Sequence, residues 1–80
     1  MTLNASFVLM NQKQALERLQ QLNGVYARIP RRHMMDIVYA VSKWSVDQYY
    51  YFMFYCLEKD RRRISALVKG YLFNKERYGN

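Results

Sequence analysis

The chain is poor in the residues on which small-domain chemistry usually rests. It has one cysteine, one histidine and one proline, and its three glycines stand far apart. A lone Cys56 closes no internal disulfide, and a domain this small without a disulfide framework suits a reducing cytoplasm. One cysteine and one histidine cannot build a zinc site. Gly24, Gly70 and Gly79 are too scattered to form a loop that cradles phosphates. Cys56, His33 and Asp36 offer the residue types of a nucleophilic site but no motif, and Cys56 falls on an inward helix face, where cysteine acts as a small hydrophobe. The expectation is a non-enzymatic chain with no cofactor and no metal.

Long apolar runs are missing as well. Residues 49–57 form the longest, nine apolar or aromatic side chains, against the roughly 20 a membrane span requires. The start, Met1-Thr2-Leu3-Asn4, carries no charge, and residues 7–10 are too short for the apolar core of a signal peptide. A soluble, cytoplasmic protein is expected, with no membrane partner. Acidic residues are the last shortage: six Asp and Glu face 13 Lys and Arg, a net charge of +7. From Val25 onward the count is 11 basic to five acidic. Such a balance speaks to partners rather than fold, and it fits a polyanion.

Apolar and aromatic residues are abundant, 51% and 16% of the chain, so disorder is excluded on composition. One domain, 1–80, is expected, with residues 1–10 as an N-terminal arm and 75–80 as a tail. Eighty residues bury a marginal core, which favours pairing with a copy or a partner.

The periodicity predicts an all-α, three-to-four-helix domain. Asn11 and Gln14 form a capping-box pair ahead of Ala15, Leu16, Leu19 and Leu22, with Asn23-Gly24 as a left-handed stop. Residues 25–29 read as an extended connector into Pro30, which suits the start of a second helix over 31–43. Met34, Ile37, Val38, Val41 and Trp44 share its inner face, and Arg32, Asp36, Tyr39 and Lys43 the outer one.

Ser45 and Gln48 repeat the capping box, with Asp47 at the positive end of the dipole, before a third helix expected to reach about residue 59. That helix is apolar nearly all round, as for a buried central helix. Its inward face is read as Val46, Tyr49, Tyr50, Met53, Cys56 and Leu57, with Phe54 at the edge. Gln48, Tyr51, Phe52, Tyr55 and Lys59 fall on the opposite side. Ile64, Leu67, Val68, Tyr71 and Leu72 predict a fourth helix over 61–74 capped by Asp60. The rival is a β-wing, 63–68 and 71–75 turning at Lys69-Gly70, though Lys-Gly is a poor tight turn.

Two functions follow. The first is a duplex-DNA-binding transcriptional regulator, dimeric, built on a helix-turn-helix-like pair. In it Ala40 and Val41 meet the small-residue requirement, Trp44-Ser45-Val46 the turn, and Tyr51 and Phe54 the locking positions. This register buries Tyr51, whereas the helix wheel turns it outward. Asp47 and Gln48 would read bases, Gln48 with the geometry for adenine. Arg31, Arg32, Arg61, Arg62, Arg63 and Lys69 would hold phosphates, from a basic set that also contains Arg28 and Lys59. The second is a protein-interaction module, an adaptor or inhibitor such as mobile elements carry. It would present Tyr51, Phe52 and Tyr55 to a partner and its arginines to an acidic protein surface.

Overall fold

The computed structural model describes residues 10–78, and side chains from Met10 to Lys75. The expected arm lies outside these residues apart from Met10, as do positions 79 and 80 of the tail. Four helices make up the domain, α1 (Gln12–Val25), α2 (Arg31–Val41), α3 (Val46–Tyr55) and α4 (Glu58–Tyr78), with no strand among the described residues. The fold is all-α, and the β-wing is replaced by the long α4.

α1 starts where local chemistry asks it to. The Asn11 amide donates to Gln14 Oε1 (3.0 Å), and the Gln14 amide donates to Asn11 Oδ1 (2.8 Å). Ala15, Leu19 and Leu22, spaced i, i+4, i+7, are buried. The helix does not stop at Asn23-Gly24 but runs to Val25, and no described glycine has a positive φ. The chain leaves through an extended Tyr26 toward Pro30, so no left-handed reversal is needed. Asn23 serves the tertiary structure instead: its Nδ2 donates to the buried Asp60 carboxylate at 2.8 Å.

Pro30 opens α2, its carbonyl accepting from His33 and Met34. The expected inner face is buried at Met34, Ile37, Val38 and Val41, with Trp44 half-buried. α2 ends at Val41, two residues early, in a tight turn where Ser42 Oγ donates to the Tyr39 carbonyl (2.7 Å). Trp44 Nε1 then donates to the Met10 carbonyl (2.9 Å), tying the chain before α1 to the entrance of α3.

The Ser45–Gln48 capping box of α3 forms as read. The helix ends at Tyr55, well short of residue 59, because Cys56 turns extended and α4 begins at Glu58. Arg61 stabilises this break: its Nε donates to the Met53 carbonyl (2.9 Å) and its Nη2 to the Cys56 carbonyl (3.1 Å). The Met53 carbonyl, which also accepts from the Cys56 amide at 3.3 Å, and the Cys56 carbonyl thus gain a donor from the next helix. The rotation of α3 also differs from the wheel. Phe52 is fully buried, edge-on to Trp44 with ring centroids 5.1 Å apart. Val46, Tyr50, Phe54 and Leu57 point to solvent.

α3 packs on α1, and α2 on α4. Ile64 and Val68 of α4 close the core, and Ile29 of the connector plugs it from the side. Glu58 and Asp60 in the first turn of α4 offset the arginines that crowd its positive end, and Arg62 pairs with Glu58 at 2.7 Å. α4 continues through Gly70 and through residues 75–78, expected to be tail.

Candidate nucleic-acid interface

The basic residues divide by what they touch. Arg61 is held by the two carbonyls at the end of α3, and Arg62 by Glu58. Lys59 donates to Asn23 Oδ1 and lies 3.3 Å from Asp60 Oδ1. Arg61 thus supports the α3–α4 junction, Lys59 ties the start of α4 to Asn23 of α1, and Arg62 makes an exposed i,i+4 pair.

Arg28, Arg31 and Arg63 behave differently. They line one open cleft of about 350 Å³ between the connector, the start of α2 and one face of α4, with Ile29, Pro30, Ala66 and Leu67 as its remaining walls. None of the three arginines forms an ion pair among the described residues, and no acidic residue lines the cleft. Partial burial and the Arg28 charge, with Arg31 adding to them, hold the Arg63 guanidinium below the usual arginine range, while Asp60 pulls the other way. Arginine stays protonated through such a shift. The physical content is that three like charges are held close together.

The start of α2 adds to that field. Pro30 provides no side-chain cap, and the first turn of α2 contains no acid. The Arg31 and Arg32 amides therefore lack intrahelical acceptors at the positive end of the helix dipole. Guanidinium forks beside free backbone N–H groups suit a phosphate or carboxylate.

Of the expected phosphate set, the fold brings together Arg31 and Arg63, and it adds Arg28, which belongs to the basic set but not to the expected phosphate ligands. Arg32 is exposed one residue from the rim, and Lys69 is exposed on α4 outside the cleft. Gln48 and Asp47 lie in the first turn of α3, beyond the end of α2 opposite to the one that forms the cleft, and neither lines it. Gln48 Oε1 accepts from the Ser45 amide at 2.9 Å, so a bidentate contact with adenine would require breaking that cap. The locking positions of a helix-turn-helix are not filled: Tyr51 is 56% and Phe54 75% exposed. α2 and α3 follow each other through a tight turn, but each finds its main packing partner elsewhere.

The expected aromatic interface loses Phe52 to the core and keeps Tyr51 and Tyr55, whose ring centroids are 5.0 Å apart. Phe54 joins them edge-on to Tyr55. Cys56 is buried, and burial, with Asp60 adding and Arg61 opposing, pushes its thiol up to about 12. It is therefore not a thiolate near neutral pH. His33 lies against Tyr26, with Nε2 3.5 Å from the hydroxyl. No helix among the described residues is long and apolar enough to cross a membrane. No family model, curated protein or solved structure matches this chain.

Proposed function

We propose that the chain is a non-enzymatic, cytoplasmic regulatory protein that binds duplex DNA by gripping phosphates in the Arg28–Arg31–Arg63 cleft. The observation that carries this reading is the convergence of three arginines and an uncapped helix start in one cleft lined by no acidic residue. The net charge of +7 supplies the long-range attraction, and released counterions supply affinity. Duplex is favoured over single strand because no aromatic ring lines the cleft, whereas single-strand sites stack bases on aromatic platforms. The contacts are to the backbone and position the protein; Gln48 is left to its cap.

Fluorescence anisotropy with a random duplex and a random single strand, across a salt series, tests the proposal. Duplex binding is expected to weaken steeply with salt. Each of Arg28→Ala, Arg31→Ala and Arg63→Ala should weaken it on every sequence and lower the salt slope by about one. Absence of binding at low salt, or a triple variant that binds as the parent does, would overturn the reading. The exposed rings of α3 favour a second one, an interaction module with a protein partner, for which the arginine substitutions would matter only if that partner is acidic.

A further inference from the structure

The outer half of α3 is the largest feature left unexplained by a phosphate cleft. Val46, Tyr50, Tyr51, Phe54, Tyr55 and Leu57 are each between 56% and 75% exposed. They belong to one helix and its immediate exit, and neighbouring rings already touch, Tyr51 with Tyr55 and Phe54 with Tyr55. Four aromatic side chains of roughly 200 Å² each, with Val46 and Leu57, present on the order of 700 Å² of apolar surface at these exposures. An ordinary monomer carries a largest patch of about 300–600 Å². A standard stable interface takes about 800 Å² from each partner.

We infer that this face is the interface of a two-fold homodimer, with α3 of one copy packed against α3 of the other. The area is the first argument: one helix face presents nearly the full contribution of one subunit. Charge is the second. From Val46 to Leu57 the only charged residue is Asp47, an acid in the first turn of α3, in a molecule whose net charge is +7. Two copies repel through most of their surface, but along this stripe no basic side chain faces another, and antiparallel packing of the two α3 helices sets the two Asp47 carboxylates at opposite ends. A two-fold contact is self-complementary and closes, so the patch covers itself and leaves no open edge for further growth. Tyrosine and phenylalanine supply such contacts at low side-chain entropy cost. The inference is independent of DNA binding, since no cleft residue belongs to α3.

Sedimentation equilibrium of the full chain over a dilution series, in salt high enough to strip nucleic acid, reads this out. A monomer–dimer equilibrium is expected. The double substitution Tyr51→Glu/Phe54→Glu should weaken it by at least about a hundredfold, the loss of two hot-spot side chains. Its far-UV circular dichroism should be unchanged, because both positions face solvent. Tyr50→Ser/Tyr55→Ser repeats the test should that variant lose helix, and Arg63→Ala should dimerise as the parent does. A parent that stays monomeric at every concentration would overturn the inference, as would growth beyond the dimer. So would dimers that survive both double substitutions in folded protein.

Discussion

Cys56 shows how a single side chain records its surroundings. The thiol is buried where α3 gives way to α4, and its ionisation is pushed from the usual 9.0 to about 12, chiefly by desolvation. Below pH 9 both folded and unfolded chains keep the proton, and the associated stability is fully present. As pH rises from 9.0 toward about 12, the unfolded chain releases a proton that the folded chain retains, so stability falls. The slope approaches about 1.4 kcal/mol per pH unit for one such group. Urea melts at successive alkaline pH values should show Cys56→Ala losing stability less steeply than the parent, by up to one proton. Parallel slopes would mean that thiol burial is not the source. Helix spacing puts Cys56 on an inward face, and the residue is buried, but as extended backbone past the end of α3, whereas Val46, Tyr50 and Leu57 of the same expected face are exposed. The role of Asn23 was not legible, because its amide is recruited by Asp60, 37 positions away, and no local signal announces that.

At the scale of elements, the starts of α1 and α3 were readable and the ends were not. A capping box is complete within four residues, so Asn11–Gln14 and Ser45–Gln48 form as the sequence implies. The end of α3 depends on Arg61, which reaches back to Met53 and Cys56 from the next helix. Its rotation was equally hidden: a segment apolar nearly all round has no preferred inner face until α1 and Trp44 claim Phe52. α4 poses the opposite case. Gly70 offers grounds for a turn, yet the helix runs through it because Ile64 and Val68 are anchored in the core six and two residues earlier. A Cβ placed at Gly70 meets nothing within 4 Å. Gly70→Ala should therefore stabilise the protein by about 0.5–1 kcal/mol, mainly by restricting the unfolded chain. Thermal melts should show a rise of roughly 4–8 °C per kcal/mol for a domain of this size. A lowered midpoint would indicate that α4 needs flexibility at Gly70.

The whole molecule combines a surplus of positive charge with a small core, and the two are linked. Charge counted along the sequence foretold an anionic partner but could not say which arginines were available. Arg61 and Arg62 stand beside Arg63 in the chain, yet one is held by carbonyls and the other by Glu58, and only Arg63 faces the cleft. Arg28 entered the site because the connector carries Ile29 into the core and sets its neighbours on the rim. Three clustered guanidiniums repel one another in the folded state, and an anion that joins them should stabilise that state by mass action. With duplex DNA at about 100 times its dissociation constant the gain is about 2.7 kcal/mol, provided the unfolded chain does not bind. The melting temperature should rise by roughly 10 °C or more, taking 4–8 °C per kcal/mol. Added monovalent salt should remove most of the rise, because it restores the counterion cost of binding. In the triple variant of Arg28, Arg31 and Arg63 to alanine, the rise with DNA should shrink, whereas the melting point without DNA should hold or increase as the repulsion disappears. A variant that melts lower by itself would instead show that the three arginines stabilise the fold.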